Sequence, residues 1–274
     1  MQKINKNQVG LGLFLKRIKD LCWVPSFYCS RAYLEAVQPE LDIINGWLTL
    51  TDEGVCMFPP VPMNDNVIYE ADYSKWPDFI WSDMEGCIMP DNYQKEKLDF
   101  QYLYDPDDFI KLVGKKWAIL RKNSKKWERR HKSNLMIVSW SDIDPEEGAV
   151  FIGEWLESKA DDFQDADIML NYLFQSDGKG VHAFCMLDNN ENIKAILAYD
   201  TNWTYVNFRY CMTKPGEAFL AEAVRLVFYR DIMFGKSMLV NDGGVVDNPQ
   251  LEWFKDRLNP VEKKTVYSWR RFDE

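Results

Sequence analysis

The chain has 274 residues, of which 46% are hydrophobic and 28% charged, and its excess of acids gives a formal charge of −10. That length suffices for one large domain or two modest ones with self-sufficient cores. The acidic balance excludes a protein that coats nucleic acid through a continuous basic face.

Along the N-terminal part, apolar positions at Val9, Leu11, Leu13, Phe14, Leu15, Ile18 and Leu21 predict an amphipathic helix over residues 8–21, with a second over 30–37. The period then becomes two. Residues 43–50 and 55–58, separated by Thr51-Asp52-Glu53-Gly54, predict a β-hairpin ended by Pro59-Pro60-Val61-Pro62. A helix is expected over 76–81 and a strand over 100–104. Aromatic residues make up 15% of the chain, including 11 Trp, a share that points to aromatic core packing.

Asp105-Pro106-Asp107-Asp108 signals a helix start, since acids in a first turn complement the dipole. That helix runs to Gly114, and another over 115–132 carries most of the cations between Lys111 and Lys132, which face a single acid, Glu128. Cations so spread round a helix prevent it from being wholly buried. A short strand at 137–140 and helices at 143–158 and 165–175 follow. Residues 181–187, 193–199 and 204–212, joined by polar turns, predict a three-stranded meander. A helix opened by Pro215-Gly216 and running to residue 234, a strand at 237–241, a helix at 247–256 capped by Asp247 or Asn248, and a strand at 263–271 complete the pattern.

Six cysteines, with no CxxC pair, support neither a zinc site nor a thioredoxin-type motif, and reduced, mostly buried thiols of a cytoplasmic protein are expected. No run reaches the length of a membrane span, and the start lacks a signal pattern, so a soluble protein without a transmembrane segment is expected. His131 and His182 are the only histidines, which leaves a Ser-His-Asp hydrolase poorly supported and speaks against a histidine-rich metal centre. Candidate acid–base groups are Asp200 at a strand end, Glu217 at a helix start and Asp242 after a strand. Tyr210 or Tyr267 could protonate a leaving group. Lys255 falls on a helix that should face the sheet and needs a partner such as Asp242, and Asn241-Asp242-Gly243-Gly244 is a loop suited to site residues.

Two segments carry a family likeness. Gly114-Lys115-Lys116-Trp117 with Arg121, and Phe254-Lys255 with Asn259-Pro260, resemble the C-terminal catalytic domain (DUF2156) of the phosphatidylglycerol lysyltransferases over residues 98–274. No counterpart is found between Asp144 and Lys179, and no membrane region that would present a lipid is expected. The resemblance implies an α+β, tandem GNAT-like acyltransferase fold of mixed central sheets flanked by helices, and the order β-β-β-α-β-α-β from Val181 onward is that of a GNAT half. Residues 1–97 are expected as a degenerate copy and 98–274 as the half carrying the basic helix.

By the same resemblance the chain would move an aminoacyl group from aminoacyl-tRNA to a small-molecule or macromolecular amine or hydroxyl, with no permanently bound cofactor. Lys115, Lys116, Arg121 and Lys122 would contact donor phosphate. Trp117 would stack on a terminal base or pack in the core, and Asn241 would line the donor site. Acyl-CoA is the other donor, used by an acetyl-CoA-dependent N-acetyltransferase, including one modifying nucleobases. Against it, Met212-Thr213-Lys214-Pro215-Gly216-Glu217-Ala218 has one glycine, an acid and a proline without an N–H where backbone amides would cradle pyrophosphate. A non-catalytic module of the same fold, holding RNA or an acidic protein, is the remaining alternative.

Overall fold

Helix α1 (Lys6–Asp20) buries Leu11, Phe14 and Ile18, one stripe at helical spacing. These come from a computed structural model describing residues 6–69, 75–87, 89–159, 165–174, 180–245 and 248–272. Helix α2 (Arg31–Val37) starts where Ser30 Oγ accepts from the Tyr33 N–H at 3.3 Å. The first predicted strand is two strands, β1 (Glu40–Ile44) and β2 (Trp47–Asp52), because Asn45-Gly46 turns the chain with φ of 50° and 81°. Asn-Gly supplies the positive φ that a tight hairpin turn needs. Next come β3 (Val55–Cys56) and β4 (Val61–Pro62), so the proline stretch still adds a short edge pairing to β2.

After α3 (Asn66–Tyr69), the expected helix at 76–81 is replaced by β5 (Phe79–Ile80), with Trp76 drawn into a core of Trp47, Cys56, Ile80 and Tyr93. The strand expected over 100–104 begins earlier, as β6 (Tyr93–Tyr104).

Asp105 caps α4 (Pro106–Lys111), its carboxylate accepting from the Asp107 N–H at 2.9 Å. One 3-10 turn (Lys115–Trp117) leads into the basic helix α5 (Ala118–His131). Then follow β7 (Met136–Ser139), α6 (Pro145–Lys159), α7 (Ala166–Phe174) and the meander β8 (Val181–Leu187), β9 (Ile193–Thr201) and β10 (Val206–Thr213). Helix α8 (Leu220–Val227) starts later than expected, with Phe219 at its N-cap in the left-handed region, and passes into a π-helical turn (Phe228–Ile232). Strand β11 (Val240–Asn241), α9 (Pro249–Asp256, capped by Asn248) and β12 (Glu262–Arg271) close the chain. The other cap candidate, Asp247, and Gln175 of the expected 165–175 helix lie outside the described residues.

Two compact units result, residues 1–101 with 264–274, and residues 102–263. The division falls four residues after the expected boundary and assigns the last strand to the first unit. In that unit the strand order is β1-β2-β3-β5-β12-β6, with β4 on β2. In the second, the end of β6 is followed by β11-β10-β9-β8-β7. Its core is aromatic: Phe208 stacks on Phe228 at 3.8 Å and Phe109 on Tyr229 at 4.0 Å between ring centres.

Candidate active site

Strand β9 pairs with β10 from Val206 to Thr213, but parallel β11 pairs with the opposite edge only at Val206↔Val240 and Asn207↔Asn241. The two strands then part. The cause lies in the chain after β11. The Asp242 N–H donates to Tyr102 O at 2.9 Å and the Tyr102 N–H to Gly243 O at 3.2 Å, which hold this loop to β6 and away from β10. From the other side, the Lys255 ammonium donates to the carbonyls of Asp242, Gly243 (3.3 Å) and Gly244 (2.7 Å). Lys255 is 3% exposed, so α9 delivers a buried cation whose hydrogen bonds fix the loop.

Asp242 stands between two buried cations. Its Oδ1 lies 3.7 Å from Lys255 Nζ and its Oδ2 3.3 Å from Arg225 Nη2 of α8. Burial pulls the Arg225 guanidinium down, but the Asp242 charge more than offsets this and holds it above its ordinary value. The guanidinium lies 4.5 Å over the Phe208 ring, and burial pushes the neighbouring Cys211 thiol upward. Nothing in the sequence pattern singled out Arg225 as a site residue. Its signal was an arginine inside the apolar run Ala223-Val224-Arg225-Leu226, where only a partnered charge is tolerated.

The other candidates fall in separate networks. Asp200 accepts from Tyr172 Oη (2.9 Å), Asn207 Nδ2 (2.8 Å) and Arg209 Nε (2.8 Å), a buried set joining β9, β10 and α7. Burial and the Asp200 charge push the Tyr172 hydroxyl far above its usual range. Tyr210 packs its ring against Tyr172, with centres 5.4 Å apart. Glu217 accepts from Lys194 Nζ at 2.6 Å and Trp127 Nε1 at 3.1 Å. Burial would raise its carboxyl, but these hydrogen bonds and the Lys194 charge hold it below the ordinary glutamate value. Asn241 is buried, and its Oδ1 accepts from the Gly243 N–H at 3.0 Å. Tyr267 belongs to the first unit, where its N–H donates to Asp83 at 3.2 Å and Lys95 lies over its ring.

Among the donor-binding candidates, Trp117 is 1% exposed and packs against Phe109, so it occupies the core and presents no face for a base. Arg121 donates to Leu112 O and to Gly114 O (3.2 Å), spending its guanidinium on the carbonyls after α4. Lys116 is exposed and pairs with Asp108 at 3.3 Å, whereas Lys115 and Lys122 face solvent. The two family-like segments meet where Asn259, at φ 53°, donates from Nδ2 to Lys116 O at 3.1 Å, and from outside them Tyr104 donates from its hydroxyl to Lys255 O at 2.8 Å. Asn259 and Tyr104 are positioning groups, and a motif match alone does not reveal what they hold.

No protein-family model and no curated protein matches the sequence. Solved structures do match in fold. A conserved protein of unknown function from Bacteroides thetaiotaomicron superposes with a TM-score of 0.67 at 14% identity, covering 97% of this chain and 96% of its own. The DUF2156 C-terminal domain of a protein assigned as a lysylphosphatidylglycerol synthetase of Agrobacterium fabrum gives 0.65 at 12% identity, with 98% and 93% covered. L-PGS from Bacillus licheniformis gives 0.60 at 14%, with 89% and 91% covered. At such identities the likeness is one of fold. Among the described residues, no helix is long and apolar enough to cross a membrane. The chain has an α+β fold, a mixed sheet flanked by helices, and its structural resemblance to the DUF2156 domain agrees with the two sequence segments that suggested it.

Proposed function

We propose that this chain transfers an aminoacyl group from a charged tRNA to an amine or hydroxyl acceptor at the opening between β10 and β11. The observation that carries the reading is the two-residue β10–β11 pairing. Beyond Asn207, no strand among the described residues pairs with β10 on that edge, and an acyl carbonyl with its oxyanion would meet the backbone of β10 there. In the transfer, the acceptor's lone pair adds to the ester carbon and charge collects on the carbonyl oxygen. Collapse breaks the C–O bond to the ribose of the tRNA, and the proton lost by the acceptor leaves with that oxygen.

Two features favour tRNA over acyl-CoA. The loop before α8, where pyrophosphate would lie on backbone amides, holds the Glu217 carboxylate, and like charges repel there. Lys122, Lys125 and Arg129 are exposed on α5 and pair with no carboxylate among the described residues, a surface suited to a phosphodiester backbone. One solved relative is assigned as a lysylphosphatidylglycerol synthetase, a name for the making of an aminoacyl ester, and the aminoacyl class is taken from it.

The test measures acyl release from tRNA charged with labelled amino acids, and separately from acetyl-CoA, in the presence of a nucleophilic amine. Release from charged tRNA above the uncatalysed rate is expected, together with salt-sensitive tRNA binding. The triple substitution Lys122→Gln, Lys125→Gln, Arg129→Gln should weaken that binding and flatten the log–log salt slope by about 0.7–0.9 for each phosphate that is no longer neutralised. Turnover of acetyl-CoA with indifference to tRNA would replace the donor. Binding without turnover of either would favour a non-catalytic module.

A further inference from the structure

Trp253 of α9 is 62% exposed, although an indole is among the largest apolar surfaces a chain can bury. One of its faces is covered. The Arg257 guanidinium, one helical turn on, lies 4.1 Å from the ring centre. Exposure of that size with one face covered belongs to the other face and the edges. Among the described residues the indole meets no other ring, cation or hydrogen-bonding group.

Arg257 is itself held in place. Its Nη2 lies 3.8 Å from Glu222 Oε1 of α8, the oxygen that accepts from Asn123 Nδ2 of α5 at 2.8 Å. Helices α9, α8 and α5 therefore meet at one carboxylate oxygen, and the indole is fixed beside the basic helix. Lys126 and Arg130, at i+3 and i+7 from Asn123, gather over the Phe219 ring, 4.8 and 5.5 Å from its centre. Neither pairs with a carboxylate among the described residues. Phe219 precedes Glu222 by one turn at the start of α8, so both cations border the surface that carries Trp253. They form the stripe beside Lys122, Lys125 and Arg129. Glu252 and Asp256, the acids of α9, are both engaged by Lys263, at 3.6 and 2.6 Å.

An acidic protein would meet these cations without need of the indole. A duplex keeps its bases stacked on one another and offers mainly its backbone and groove edges. An unpaired strand brings both a π-face for the ring and phosphates for the cations. We infer that Trp253, backed by Arg257, is a stacking platform for one base of an unpaired RNA end, whose flanking phosphates lie on Lys126 and Arg130. The place suits a donor, because Glu222 stands one turn before Arg225, which pairs with Asp242 beside the β10–β11 opening. That this RNA carries the acyl group rests on the transfer reading above, and the platform itself does not.

The experiment follows three labelled probes by anisotropy at equal ionic strength: a short single-stranded RNA, that strand paired with its complement, and that strand with abasic nucleotides. The full chain is compared with Trp253→Leu and with the pair Lys126→Gln, Arg130→Gln. Trp253→Leu changes an exposed side chain, and an unshifted unfolding midpoint verifies that the fold is kept. The single strand should bind more tightly than the duplex, and Trp253→Leu should weaken it roughly fivefold to a hundredfold, the worth of one stacked base. The abasic strand should bind the unsubstituted protein and Trp253→Leu alike. The lysine–arginine pair should flatten the log–log salt slope by about 0.7 for each phosphate of the strand no longer neutralised. Failure of the single strand to bind, binding indifferent to Trp253→Leu, or a duplex bound as tightly overturns the platform. Polyglutamate of equal charge competing as well as the RNA assigns the surface to an acidic protein instead. Uncharged RNA is used and no acyl transfer is read, so either reading can fail while the other stands.

Discussion

Lys255 shows how a single residue shapes the opening without needing to meet a substrate. Its ammonium is enclosed by the carbonyls of Asp242, Gly243 and Gly244, and its place on α9 sets how far the chain after β11 stands from β10. Lys255→Met should therefore leave three buried carbonyls without their donor and Asp242 with Arg225 alone, costing about 3–5 kcal/mol in urea unfolding. Amide exchange should quicken first in residues 242–245. A cost below about 1 kcal/mol would show that the loop holds its shape without the lysine. The lysine and its Asp242 partner were legible in the sequence as a cation on a sheet-facing helix. The carbonyl cage was not, because backbone acceptors leave no mark in a residue pattern.

At the scale of elements, the basic helix α5 is held from its inner face. Leu120, Ser124 and Trp127 are buried, Asn123 donates to Glu222 of α8 at 2.8 Å, and Trp127 donates to Glu217, which also binds Lys194 of β9. Its exposed cations are thus displayed on a helix tied to α8 and the meander. Because the folded-state carboxyl of Glu217 lies below its unfolded value, its contribution to stability is present above about pH 4.3 and is lost as pH falls through the lower folded value. Glu217→Gln should reduce stability at pH 7 and flatten the acid limb below about pH 4.3. An unchanged acid limb in denaturant melts across that range would remove Glu217 as the tie. The helix and its charge were readable from the run of lysines and arginines. Its inner partners, Glu217 and Glu222, come 90 and 99 residues after the side chains they meet, and no local period announces them.

For the whole molecule, the two units depend on where the chain end goes. Residues 264–274 belong to the first unit, where β12 lies between β5 and β6. Ending the chain after Lys263 should therefore leave β5 and β6 without the strand between them. Amide protection should fall in β2 and β5 while β8, β9 and β10 keep theirs, and equal loss in both groups would show that the units unfold as one. By itself the sequence determined the meander, the α8 and α9 segments, the basic helix and the resemblance that suggested the fold. Each of these is written in local periodicity, capping residues or contiguous motifs. Only the tertiary structure decided that Trp117 is core, that Arg121 serves α4, that Tyr267 lies in the other unit and that Arg225 joins Asp242 and Lys255. These depend on contacts between residues far apart in the chain, where burial and charge balance, rather than residue type, decide whether a side chain supports the fold or is left available to a ligand.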